Sequence, residues 1–289
     1  MQRWLVVTAD DFGIGVETSR GILDLAQEGC VTATVLLVNS PYAEDSVAAW
    51  KQRGRPVEMG WHPCLTLDRP ASRPSLVPSL VDRRGSFHSL RSFLIRLSLG
   101  RINAEEIEIE WRAQLARFID LVGSPPVVVN AHHHLHIFPS VAAALHRVLA
   151  QNDIRPFVRR VVAKPGPASG AWLKQRVLSS FGRRSAAAQA NAHFPGCDEL
   201  LGLAAPTTAH NPSYLPAAIS AAASQTAELT CHPGHADPQL VGRDEVLFRT
   251  QERDRLRSSE FRSAVDAAGF RLAPPSFVSN DCLDGRWAA

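Results

Sequence analysis

Four short polar clusters each follow a β-like apolar run: Ala9-Asp10-Asp11-Phe12-Gly13, Gly60-Trp61-His62, Asn130-Ala131-His132-His133-His134-Leu135-His136 and Cys231-His232-Pro233-Gly234-His235. The C-terminal ends of strands are where α/β barrels collect their chemistry, so Asp and His repeated at such ends point to a shared site. One carboxylate and two imidazoles make a mixed oxygen–nitrogen site that leaves coordination positions open for water and substrate. Zinc suits that donor set best, with Mg, Co and Ni as the other candidates. Such a cation polarises a carbonyl and acidifies its water, while a carboxylate removes a proton and an imidazolium protonates a departing amine. Amide hydrolysis needs those roles together.

Each cluster also has a plainer reading. Asp10-Asp11 offers one carboxylate to a cation and its neighbour as a base, but Asp11 can equally cap a helix that begins near Ile14. His62 alone reads as a hydrogen-bonded structural residue. In an extended segment His132, His134 and His136 share a face and His133 points away, so the run supplies one ligand and two further polar groups to a pocket. A solvated histidine tract is the competing reading; the apolar lead-in and Leu135, Ile137 and Phe138 speak against it. His232, before the turn-forming Pro233-Gly234, suits a general acid or a structural role. Trp61, His134, His136, Phe138 and His235 are the expected substrate contacts. Cys64 and Cys231 lack a paired spacing and read as packing residues.

The elements that must position these clusters alternate. Trp4 to Thr8, Thr34 to Val38, Val57 to Trp61, Val127 to Val129, Phe157 to Val162 and Ala227 to Cys231 read as strands. Helices are expected over Val16 to Glu28, from Pro41 to about Arg53, Ser140 to Gln151, Pro216 to Ser224, Arg243 to Arg257 and Ser259 to Ala268. Between Asn103, a natural N-cap with Glu106 at the third helical position, and Gly123, the residues Trp111, Leu115, Phe118 and Val122 repeat at helical spacing. This strand–helix rhythm is that of parallel α/β units. It fails at Leu65 to Arg101, broken by Pro70, Pro74 and Pro78, and at Ala163 to Tyr214, where a single helix near Ala171 to Phe181 is discernible. Both stretches are expected to be insertions over the substrate cleft.

Composition sets the bounds. At 289 residues, with 45% hydrophobic and 20% charged residues, the chain suits a soluble single domain spanning 1–289. The formal charge of +3 comes without an aromatic-interleaved basic stripe, which argues against nucleic-acid binding. No stretch suits a transmembrane helix, although peripheral membrane contact stays open, and the start turns polar too early for a signal peptide, so a cytoplasmic location is expected. The five cysteines have no CxxC pair and read as reduced thiols.

Thr8-Ala9-Asp10-Asp11-Phe12-Gly13, Gly60-Trp61-His62, the Asn130 to His136 run and Glu228-Leu229-Thr230-Cys231-His232-Pro233-Gly234 resemble the YdjC-like (ChbG/HpnK) carbohydrate deacetylases in series. The resemblance covers most of the chain. It implies a distorted, TIM-like (β/α) barrel with loops over the C-terminal face of its strands, a homodimer, and removal of an N-acetyl group from an amino sugar. By that likeness Asp11, His62 and His132 are the ligands of one divalent metal, Asp10 the base and His232 the acid. Asn130-Ala131 stands where many members have Asp-Ser and resembles the branch associated with hopanoid biosynthesis, which would take an acetylglucosaminyl lipid. His133-His134 and Cys231-His232-Pro233-Gly234 resemble the chito-oligosaccharide branch. Outside this reading stand a sugar-binding barrel without catalysis and a metal hydrolase of another ester or amide.

Overall fold

The computed structural model describes residues 2–162, 172–203, 211–240 and 246–283. Its strands are β1 (Arg3–Phe12), β2 (Ala33–Leu36), β3 (Glu58–Trp61), β4 (Val128–Val129), β5 (Phe157–Val158), β6 (Glu199–Leu201), β7 (Thr226–Cys231) and β8 (Phe270–Leu272). All pair in parallel in the order β5-β4-β3-β2-β1-β7-β6, with β8 beside the first residues of β1. The two ends of this curled sheet are tied together where Val158 N–H donates to Pro195 O at 2.8 Å and Leu200 N–H donates to Val162 O at 2.9 Å. The result is a distorted (β/α) barrel.

Period-two alternation sorts the residues of β1. Leu5, Val7 and Ala9 join the large outer core against the helices, whereas Val6 packs with Val35, Val128 and Phe157 in a smaller inner cluster. Above that apolar layer the interior turns polar: Thr8 donates to Glu228, and Asp10, Asn130, Arg159 and Thr230 meet higher still. Ala273 and Val278 close the opposite, N-terminal end.

The helices are α1 (Val16–Gln27), α2 (Ala43–Gln52), α3 (Leu90–Ser98), α4 (Ala104–Val122), α5 (Pro139–Gln151), α6 (Trp172–Asn191), α7 (Tyr214–Ser220), α8 (Val246–Arg257), α9 (Ser259–Ala267) and α10 (Pro275–Leu283). α4 forms where its spacing says it should. The Asn103 side chain accepts from Glu105 N–H, Gly123 ends the helix at φ 90°, and Ile107, Trp111, Leu115, Phe118 and Val122 are buried along one face. Glu106 does not close a capping box; it accepts from Ser79 N–H at 2.6 Å and so ties down the 65–101 segment.

Four elements lay outside the sequence-based expectation: α3, β6, β8 and α10. β6 falls inside the stretch expected to be an insertion, so part of 163–214 is barrel wall. Residues 163–171 and 204–210 of that stretch, and residues 243–245 of an expected helix, lie outside the described residues. Asp11 does not cap α1. Its N-cap is Gly15, and Asp237, arriving from beyond β7, accepts from Glu17 N–H at 3.0 Å and Thr18 N–H at 3.1 Å. A Cβ on Gly15 would stand 2.2 Å from that carboxylate, so only glycine lets it reach the helix end.

Candidate active site

Adjacent strand residues normally face opposite ways, yet both aspartates of β1 are buried at the same end of the barrel. The register explains it. Ala9 pairs with Thr34 but Phe12 pairs with Leu36, so β1 carries one extra residue there, with Asp11 at φ 63°. Such a bulge re-aims its side chains, and aspartate is among the residues that tolerate the left-handed region.

Asp11 meets two imidazoles. His62 Nε2 lies 3.2 Å and His132 Nδ1 3.1 Å from Asp11 Oδ1, and the two ring nitrogens are 3.3 Å apart. His62 Nδ1 donates to the Asn130 carbonyl at 2.7 Å, which leaves Nε2 as a lone pair facing the carboxylate. Two acceptors so close need a proton or a cation between them. Asp11, His62 and His132 offer one ligand atom each, all within 4.8 Å of one another, and the carbonyl-oriented imidazole is the outer support that metal-binding histidines use. The donor set fits a divalent cation. Burial alone would raise the Asp11 carboxyl, but Arg249, bonded at 2.7 Å, and His132 hold it well below the carboxylate range.

Gly60 makes room for this arrangement, since a Cβ there would stand 2.3 Å from the Val128 carbonyl oxygen. Beyond His62, Gln114 on α4 accepts from Cys64 N–H at 3.0 Å and donates to Cys64 O at 2.7 Å. His132 N–H in turn donates to Pro63 O at 2.9 Å, so the two histidine segments are laced together.

Asp10 is held by a different set. Arg159, fully buried, donates to Oδ2 at 2.6 Å and to Oδ1 at 2.9 Å; Thr230 donates to Oδ2 at 3.0 Å and Asn130 to Oδ1 at 3.3 Å. Against a burial penalty, Arg159 and then His62 keep this carboxyl ionised, far below its ordinary value. Arg159 also binds Glu228 at 2.8 Å, so a single guanidinium joins two interior carboxylates. His232 stands at the rim, 47% exposed, with Nε2 3.9 Å from Asp10 Oδ2. Its N–H donates to Glu252 at 2.6 Å.

The histidine run departs from the extended segment expected of it. It is a tight turn, His132–Ile137, in which His133 and His134 adopt φ 55°. Alternation therefore does not apply, and only His132 reaches the triad. His136 is buried; its Nδ1 accepts from Ala131 N–H at 3.1 Å and its Nε2 donates to Arg159 O at 3.0 Å. Burial pushes it down to about 3, so it is neutral and structural, not a substrate contact. Trp61 is likewise fully buried, edge-on to Trp111 at 5.8 Å, and presents no surface to a sugar. His235 is engaged by Asp24 on α1 at 2.7 Å. His134 is half-buried with an enclosed, unpartnered Nδ1, and Phe138 is half-buried against Phe181. Cys64 is buried and its thiol pushed up to about 12, which fits a packing role.

Arg159, Thr230, Arg249, Gln114 and Glu252 were missed by sequence reasoning. Thr230 lies inside the Glu228 to Gly234 motif; the other four leave no local signal.

The model of the family described as YdjC-like protein matches residues 4–267. A chitooligosaccharide deacetylase of Klebsiella pneumoniae (strain 342) is 30% identical over 272 residues, covering 94% of this chain and 98% of its own. A carbohydrate deacetylase of Danio rerio is 33% identical over 162 residues, 56% of this chain and 50% of its own. Among solved structures, an Enterococcus faecalis V583 protein provisionally assigned to cellobiose-phosphate cleavage superposes with a TM-score of 0.77 at 23% identity, covering 96% of this chain and 99% of its own. That last likeness speaks to the fold.

Proposed function

The chain belongs to the YdjC-like family, and from that membership and the geometry of its site we propose that it is a metal-dependent hydrolase releasing acetate from the nitrogen of an amino sugar. The observation that carries the reading is the convergence of Asp11, His62 and His132 within 4.8 Å beside a carboxylate fixed by arginine. Those three residues would hold the cation, and zinc matches their donor set. When bound, the cation supplies Lewis-acid polarisation of the acetyl carbonyl and acidification of a water.

The chain supplies the proton handling. Asp10 accepts the proton of the attacking water. Its lone pairs are met by Arg159, Thr230 and Asn130, and the Asn130 contact, at 3.3 Å, is the longest of these and the one a water replaces. Arg159 disfavours the protonated carboxyl, so the proton is held briefly and passes on. His232, 3.9 Å from Asp10, donates a proton to the departing amine nitrogen and recovers the one that Asp10 took. His134 and Phe138 remain as substrate contacts, and the 65–101 stretch borders the cleft.

Two substrates fit this chemistry: a chito-oligosaccharide and an acetylglucosaminyl lipid such as a hopanoid glycoside. Acetate release from a panel of both, with and without chelator, tests the reading. Release from at least one, abolished by chelator and restored by zinc, is the expected result. Acetate from none of them would overturn it.

A further inference from the structure

The 65–101 segment leaves the C-terminal end of β3 and displays the most exposed large apolar side chains of the described residues: Leu76 at 52%, Ile95 at 50% and Leu99 at 59%. Arg91, Ile95 and Leu99 follow at i, i+4 and i+8 along α3 and its C-terminal cap, so they form one stripe. Arg96 flanks it and Arg101 closes its end. These residues line a shallow depression of about 320 Å³.

The charge is as concentrated as the apolar surface. Residues 65–101 contain seven arginines against two aspartates, a net +5 in a chain whose whole formal charge is +3. Some surface arginines elsewhere are paired, Arg112 and Arg147 with Glu108 and Arg117 with Glu44. Among the described residues no carboxylate lies within ion-pair distance of Arg91, Arg96 or Arg101.

We propose that this face docks the protein on an anionic lipid surface. Aliphatic side chains interleaved with guanidinium groups on one helix lie flat at a headgroup boundary, the former entering the acyl layer and the latter meeting phosphate. A second copy is a poor occupant, because a two-fold contact would set the same unpaired arginines against each other. Nucleic acid is poorer still, since the exposed apolar groups are aliphatic and offer no ring for bases to stack on. No helix among the described residues is long and apolar enough to cross a membrane, so the contact is peripheral.

Co-sedimentation of the full chain with vesicles tests this without turnover, so its outcome is separate from that of the deacetylase reading. Binding is expected to vesicles containing phosphatidylglycerol and not to phosphatidylcholine alone, and to weaken with salt. Arg91→Gln and Arg96→Gln should each lower partitioning roughly fivefold. Ile95→Ser with Leu99→Ser should abolish it, with an unchanged thermal midpoint showing that the fold is intact. Equal binding to both vesicle types, no binding to either, wild-type binding by these variants, or a dimer in solution that the same substitutions dissociate would each overturn the proposal.

Discussion

Two neighbouring aspartates do different work because their partners differ. Asp11 faces two imidazoles, whereas Asp10 is gripped by Arg159, Thr230 and Asn130. Asp10→Asn should therefore leave metal content intact and lower turnover by about 10²- to 10⁴-fold, checked by elemental analysis beside steady-state kinetics. His232→Ala should harm hydrolysis of an N-acetyl sugar far more than that of an activated acetyl ester, because only the amine needs protonating on departure; equal losses would assign it to substrate positioning. Arg159→Met leaves two interior carboxylates without their cation and should cost about 3–5 kcal/mol in urea unfolding. The paired aspartates and single histidines were legible because a carboxylate or imidazole at a strand end is chemically conspicuous. Arg159 was not, since beside Arg160 it reads as another surface basic pair, and nothing local in a sequence shows that a cation is interior.

At the level of elements, the turn after β4 and the helix α4 do the positioning. Gln114 satisfies both main-chain groups of buried Cys64. Gln114→Leu strands them and should cost about 2–5 kcal/mol while loosening metal affinity, since Cys64 follows Pro63, on which His132 leans. His136 makes the turn pH-sensitive. Its folded value, about 3, lies below the roughly 6.5 of an unfolded histidine, so as pH falls between them the unfolded chain binds a proton that the folded chain refuses. Stability should thus decline on acidification through that window, and less steeply in His136→Gln, as followed by urea midpoints. α4 was fully legible from its spacing and cap. The histidine turn was not, because two successive left-handed histidines leave no periodic trace, and strands of two or three residues such as β6 and β8 are too short for alternation to register.

Across the whole molecule, the barrel interior grades from an apolar base around Val6 and Phe157 to a charged layer around Arg159, and the site sits where that gradient meets the C-terminal rim. One bulge in β1 and one strand end each from β3, β4, β5 and β7 supply it, so the fold's closure and the site's geometry are the same fact. Gly60→Ala should damage both, because its Cβ would stand 2.3 Å from the Val128 carbonyl; lowered thermal midpoint together with lost metal affinity is the expected pair of results. The most direct measurement is acetate release from an N-acetylated chito-oligosaccharide or acetylglucosaminyl lipid while chelator-stripped protein is titrated with zinc. The expected result is a rate that rises from near zero to a plateau at one zinc per chain, and no rise in His132→Ala. Undiminished acetate release from the stripped protein, or a normal titration in His132→Ala, would contradict it.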